Sequence, residues 1–437
     1  MGYSVEFSSP EKTIKIIESN QRIALANLCA EPRIFPELLM NRARELSNVK
    51  LFHMRPCGEF VQRYLEPGME EHVKCSTAFT GGVKPIVQLI KEGRADFYPI
   101  PLSKAPWLLR HVVRPDVFVA TISPPDEKGN CSLGISVDYG LAAFQTANVV
   151  IAEVNSNMPR TGGDAIIQAD QIDYFIESDD PIYELPPPAI TNLEKRLAEN
   201  VTNLVQDGAT IQVGYGAISE SITPFLAEKK DLGLHSEMFP ESAMTLVNNG
   251  ALTGARKNLN KGKAVCAFAA GTRKLYEWLN GYANIKLKPL DYTNDPTIIA
   301  ANSKMTAINT ALQVDLYGNT YSDMLGFDQY SGAGGQPDFV IGAQLCPEGT
   351  SIIVLPSTAH EGKLSRIVSH PSISPNQQAP AIPTVSRFHA DYIVTEQGTA
   401  SLRDKTVRER AKAILGVAHP DFVDDLWRQG RKLNLFS

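Results

Sequence analysis

The stretch DDPIYELPPPAITNLEKRLAENV, Asp179–Val201, divides the chain. Pro186, Pro187 and Pro188 fit neither a helix interior nor a central strand and favour an extended connector. The residues after them open a fresh helical pattern. This predicts a domain boundary here, with one domain over 1–187 and another over 188–437. A chain of 437 residues is in any case too long for a single ordinary core.

On the N-terminal side of the boundary, SPEKTIKIIESN (9–20) reads as a capped amphipathic helix, with Ser9 ahead of Pro10 and Glu11. Short apolar runs follow in RIALANL, VKLFHM, FVATI and NVVIAEV, separated by helical or turn material, which is the rhythm of a parallel sheet. GGVKPIVQLIKEGRADFYPIPL adds a glycine turn, a helix ending near Gly93 and another strand. The C-terminal half repeats the rhythm in GATIQVG, AVCAFAAG, SIIVLPST and ADYIVTEQG. The fold class expected is therefore α/β, with two open α/β domains. In open parallel sheets ligands bind beyond the carboxyl ends of the strands, so the turns in QVGYGAIS, LHSEM, YSGAGGQPDF and VTEQG are the candidates for a shared site.

Composition removes several functions. With 43% hydrophobic and 21% charged residues the chain is ordinary for a globular protein. A net charge of −6 argues against a nucleic-acid partner bound over the whole surface. Cys29, Cys57, Cys75, Cys131, Cys266 and Cys346 form no C-x-x-C pair and no metal-type spacing; free thiols suit a reducing cytoplasm. The N-terminal segment has early acids and no long apolar core, so neither a signal peptide nor a membrane anchor is expected. No run reaches the roughly eighteen apolar residues of a spanning helix.

Motifs narrow the field further. There is no G-x-x-x-x-G-K-[ST] loop, no H-E-x-x-H and no G-x-S-x-G, and GYGAIS lacks the third glycine of a dinucleotide fingerprint. The eight histidines form no convincing pair, and no metal is expected. VGYGAIS (213–219) passes through Gly214 and Gly216 into a helix, a turn that either aims N–H groups at an anion or simply reverses the chain tightly. YSGAGGQPDF carries Gly332, Gly334 and Gly335, which permit close approach of a ligand or mark a surface loop. Arg256, Lys257, Lys261 and Lys263 in GARKNLNKGK, with Arg273 and Lys274, either steer a phosphorylated ligand or form a solvated face. Glu237 in LHSEM and Glu396 in VTEQG compete as catalytic carboxylates, each at the end of a strand-like run.

Read together, SPPDEKGNCSLGISVDY, VIAEVNSNMPRTGGD, VGYGAIS, LHSEM, INTALQVDLYGN, YSGAGGQPDFVIGA and VTEQGTASLRDKTVRERAKAILGVAHPDF resemble the acetyl-CoA hydrolase/transferase family, and within it the 4-hydroxybutyrate CoA-transferase branch. The resemblance implies two α/β domains of the NagB/RpiA-like type with the active site between them. It implies transfer of coenzyme A from an acyl-CoA to a small carboxylic acid. It also implies a homo-oligomer, dimer or tetramer. The glutamate of the HSEM-type motif is the family's nucleophile, here Glu237. It would attack the thioester, pass through a mixed anhydride and carry CoA as a glutamyl-CoA thioester, with no metal. By the same resemblance Gly214, Tyr215, Gly216, Ala217 and Ile218 line the CoA site, with Gly334 and Gly335 in the glycine loop. Gly335 supplies a backbone donor near the thioester oxygen, and Asn309 and Lys363 contact CoA. Glu396 looks similar to the S-E-N-G glutamate of other CoA-transferases and is the rival for the nucleophile.

Two stretches depart from the family pattern. GAQLCPEGTSIIVLPST places Cys346, Pro347 and Glu348 where many relatives read GGKS, and ESNQRIALANLCAEP replaces a more usual SGD turn. Three functions are weighed: a CoA-transferase acting on short-chain or dicarboxylic acyl groups, an acyl-CoA hydrolase using the same glutamate, and a catalytically silent CoA-binding protein.

Overall fold

A computed structural model describes residues 4–214, 216–370 and 382–436. The chain forms two compact units, Met1–Pro186 with Val265–Thr293, and Pro187–Ala264 with Asn294–Ser437. AVCAFAAG, expected as a strand of the second domain, lies almost wholly in the excursion that packs with the first unit. It breaks into strands Ala264–Cys266 and Phe268–Ala270. Within the first unit, Ala267 accepts from the Val137 N–H, and Ile285–Leu287 pairs in parallel with Gly162–Gly163.

The first unit is built on seven strands: β1 Arg22–Leu25, β2 Val49–Phe52, β3 Val73–Thr77, β4 Asp96–Phe97, β5 Val117–Ile122, β6 Val149–Asn155 and β7 Tyr174–Ser178. Their order is β7-β6-β5-β1-β2-β3-β4, with every pairing parallel. β5, VFVATI, is buried at every position, as expected of a central strand covered on both faces. One core gathers Ile23, Leu25, Leu51, Val117, Val119 and Ile151 from the sheet with Phe35, Leu39, Ile86 and Leu89 from the helices Ile34–Arg42 and Lys84–Lys91. The segment 9–20 is less helical than its pattern suggests. Ser9 caps a four-residue turn, Pro10–Thr13, which tightens into a 3₁₀ turn over Ile14–Ile16.

The second unit starts inside the triple proline, at Pro187. Thr191 and Glu194 close a capping box on helix Asn192–Thr202, with the Leu193 N–H donating to Thr191 Oγ1 at 3.2 Å and the Thr191 N–H donating to Glu194 at 3.0 Å. Its sheet comprises β8 Thr210–Val213, β9 Gly233–Leu234, β10 Thr306–Thr310, β11 Thr350–Val354, β12 Tyr392–Thr395 and β13 Gly398–Ser401, ordered β9-β8-β10-β11-β12-β13. The pairings from β9 through β12 are parallel, and β13 returns antiparallel through the turn at Glu396–Gln397. β8, β9 and β10 therefore all finish on one edge of the sheet. Ile353, Ile393, Leu402 and Ile414 belong to one core of this unit.

Candidate active site

Glu237 lies three residues past the end of β9, and the residues between are tied down. His235 is fully buried with its ring 6.3 Å from that of Phe339, and its backbone N–H donates to the Ile211 carbonyl. Ser236, also fully buried, donates from Oγ to the Val213 carbonyl at 3.0 Å. Lys257, expected among a basic group, is itself buried, and its Nζ donates to the carbonyls of Leu234 at 2.8 Å and Lys263 at 3.0 Å. These contacts leave Glu237 as the partly buried residue between buried neighbours Ser236 and Met238.

The opposite wall is the start of helix Gln336–Leu345, whose N-cap is Gly335. A Cβ on Gly335 would fall 1.5 Å from Glu237 Oε2 and 2.4 Å from Asn294 Nδ2. Only glycine fits at that separation, which is the physical content of the glycine loop. Gln336 ties the helix start to the end of β10 by donating to the Thr310 carbonyl at 3.2 Å. Phe339, one turn on, is the ring against His235. Glu237 also accepts from Asn294 Nδ2 at Oε2, 2.9 Å away. The same Nδ2 lies 3.4 Å from Asp338 Oδ2.

Burial pushes the Glu237 carboxyl up from 4.5 to about 7; the Asn294 hydrogen bond works against that rise, the charge of Asp338 adds to it, and the Gly335 N–H opposes it. Near neutrality the group is thus poised between acid and carboxylate. Asn294 and the close approach of Gly335 both fall on Oε2. Oε1 is the oxygen that Asn294 does not hold.

The other sequence-derived positions divide. Gly216 adopts φ +114° and ψ 177°, a region only glycine occupies readily, and N-caps helix Ala217–Phe225. Gly214 precedes it, with a Cβ position 3.2 Å from Ser219 Oγ, and Ala217 and Ile218 begin the helix half-exposed. Tyr215 lies outside the described residues. Gly334 is buried at φ +62° ahead of Gly335. Asn309 exchanges amide hydrogen bonds with Gln212 across β8 and β10 at 3.1 and 3.2 Å. Lys363 sits exposed in the hairpin between Thr358–Ala359 and Leu364–Ser365, 3.8 Å from Glu361. Cys346 is packed with Ile299, Met305, Ala307 and Phe339, and donates to the Asn302 carbonyl.

Neither Asn294 nor Asp338 carries a sequence signal of its own. Asp338 lies inside the glycine motif, two residues past Gln336. The stretch YTNDP around Asn294 carried a turn signal but nothing that pointed to a carboxylate 57 residues away.

The model for the acetyl-CoA hydrolase/transferase N-terminal domain matches residues 1–185, and that for the C-terminal domain matches residues 271–430. The chain belongs to the acetyl-CoA hydrolase/transferase family. Among relatives in this family, the 4-hydroxybutyrate coenzyme A transferase of Clostridium kluyveri is 39% identical over 431 residues, covering 98% of each chain. The succinyl-CoA:cyclohexane-1-carboxylate CoA transferase of Geobacter metallireducens is 36% identical over 435 residues, covering 99% of this chain and 96% of the relative. The crystal structure of a 4-hydroxybutyrate CoA-transferase from Porphyromonas gingivalis superimposes with a TM-score of 0.82 at 33% identity, covering 98% of this chain and 97% of that one. The α/β architecture expected from the strand rhythm is thus the architecture of the family. Among the described residues no group of three or more His, Cys, Asp or Glu side chains is arranged to hold a metal ion, and no helix is long and apolar enough to cross a membrane.

Proposed function

We propose that this protein is an acyl-CoA:carboxylate CoA-transferase in which Glu237 carries CoA, as a glutamyl thioester, from a donor acyl group to a short-chain carboxylic acid. One observation carries the reading: a half-buried carboxylate held by an amide N–H on one oxygen, at the C-terminal edge of a parallel sheet, in a cradle only glycine can line.

The chemistry follows from which oxygen is held. Oε1 attacks the thioester carbonyl carbon, the C–S bond breaks, and CoA leaves as thiolate, giving a mixed anhydride. The thiolate then adds to Cδ of Glu237 and expels the donor acid as its carboxylate. Glu237 Oε2 is the carbonyl oxygen of the resulting thioester, and it bears the negative charge each time a nucleophile adds to Cδ. Asn294 Nδ2 is already 2.9 Å from that oxygen, so the donor is in place before the charge develops. An acceptor carboxylate adds to Cδ, a second anhydride forms, and the returning thiolate completes the exchange. The energy of the thioester is kept on the protein throughout, and proton transfer is not needed once Glu237 is ionised.

We assign the turn over Gly214–Ile218, the glycine loop at Gly334 and Gly335, and Asn309 and Lys363 to CoA. The acids are drawn from the range of the relatives' names, with 4-hydroxybutyrate, butyrate and small dicarboxylates to be screened as acceptors. The test is intact-mass spectrometry with peptide mapping after incubation with butyryl-CoA and no acceptor. A CoA-sized adduct on the Glu237 peptide is expected. An adduct on the Glu396 peptide would move the nucleophile, and rapid CoA release without any adduct would replace transfer by hydrolysis.

A further inference from the structure

Two carboxylates flank one amide nitrogen in this site. Asn294 Nδ2 is 2.9 Å from Glu237 Oε2 and 3.4 Å from Asp338 Oδ2. Nδ2 carries two hydrogens, so it can serve both oxygens. Turned over, the same amide would set its own carbonyl oxygen against two acidic side chains. The orientation that puts an N–H on Glu237 is therefore the one Asp338 selects. Asp338 is only 3% exposed and stands in the first turn of helix Gln336–Leu345, where the helix dipole favours an acidic side chain. That helix is anchored by Gln336 on the Thr310 carbonyl and by Phe339 against His235. Asp338 is thus fixed to the same turn that brings Gly335 against the nucleophile.

We propose that Asp338 is a positioning residue for the transfer reaction: it accepts from Asn294 and so holds the Asn294 amide with an N–H on Glu237 Oε2, the oxygen that takes the charge when CoA thiolate or the acceptor acid adds to Cδ. This rests on Glu237 being the nucleophile. Asp338 touches no reacting atom and acts through Asn294. Its charge has a second consequence, since it helps hold the Glu237 carboxyl up and keeps the carboxylate basic.

The two substitutions together separate this role from a structural one. Single-turnover formation of the CoA adduct from butyryl-CoA is followed by intact mass in the wild type, Asp338→Asn, Asn294→Ala and the double variant. Asp338→Asn is nearly isosteric but offers Asn294 both a donor and an acceptor, so the amide loses its fixed sense. Its adduct rate is expected to fall about tenfold or more, with the half-saturating butyryl-CoA concentration unchanged within about twofold. In the Asn294→Ala background the same substitution should change the rate by less than about threefold, because the group it positions is gone. A wild-type rate in Asp338→Asn would overturn the proposal. So would the full loss repeated in the Asn294→Ala background. Asp338→Glu, which keeps the charge and displaces the acceptor, asks the same question if Asp338→Asn melts early, and must show the same coupled loss. Labelling of a peptide other than that of Glu237 in the wild type alone would withdraw the nucleophile, a failure read separately from the cycle.

Discussion

Glu237 and Glu396 are two carboxylates of one unit, each just past the end of a strand and each only partly exposed. Their carboxyls are shifted in opposite directions. Glu396 has both oxygens engaged: Oε2 accepts from the Ser357 N–H at 2.8 Å, and Oε1 accepts from the Ser357 hydroxyl and from Gln397 Nε2. Burial works to raise the Glu396 carboxyl, but the Ser357 hydrogen bonds prevail and hold it below its ordinary value. For Glu237 burial prevails, and the carboxyl rises to about 7. Burial alone does not separate a structural carboxylate from a reactive one. What separates these two is how far their donors offset burial: Ser357 and Gln397 on Glu396 outweigh it, whereas Asn294 and the Gly335 N–H on Glu237 do not.

The comparison breaks most directly on substitution. Glu237→Ala is expected to lower CoA exchange by about 10⁴-fold or more with CoA affinity little changed, whereas Glu396→Gln should cost less than about tenfold. Equal losses, measured as exchange between butyryl-CoA and acetate, would erase the distinction. Next in size is Gly335→Ala. With a Cβ placed 1.5 Å from Oε2, the loop must retreat, and the adduct rate should fall by about 10² to 10³-fold, comparable to losing one oxyanion donor. An alanine tolerated at full rate would detach the glycine loop from the nucleophile.

A smaller effect sharpens the electrostatic half of the contrast. In the proposed reaction the ionised form of Glu237 attacks, so adduct formation should rise about tenfold between pH 6 and pH 8, through a midpoint near 7, and level off above. A profile already flat from pH 5 would mean that Glu237 behaves like Glu396. The smallest expected effect is on stability. A carboxyl raised in the folded state contributes stability below its unfolded value of 4.5, and that contribution is lost as pH climbs through about 7. Glu237→Gln should therefore be more stable than the wild type at pH 8 by about 1 to 3 kcal/mol, the gap closing near pH 4.5. Urea unfolding at both pH values measures it. A variant no more stable than the wild type at pH 8 would count against a carboxylate whose burial outweighs its hydrogen bonds.

Much of this protein is local and was legible as such. The proline run and the helical pattern after it are read from backbone constraint and periodicity alone; the Thr191–Glu194 capping box that closes the helix is what the structure adds. The β-branched runs became strands because their side chains suit a sheet covered on both faces, as β5 shows. The glycine turn at Gly214–Gly216 and the glutamate at 237 were visible because a glycine-only dihedral and a polar residue in an apolar run leave a mark on the sequence itself.

Tertiary structure alone decided the rest. Residues 265–293 pack with the first unit although the chain has already begun the second, and a discontinuous domain has no local signature, because the strand pattern reads the same whichever sheet receives it. Asn294, Glu237 and Asp338 meet across 57 and 44 residues of chain, brought together by the order of the parallel strands and the helix that follows the glycine loop. The candidate carboxylate was written in a short motif; its raised pKa and the amide that holds its Oε2 are products of burial and long-range pairing, which no stretch of sequence contains.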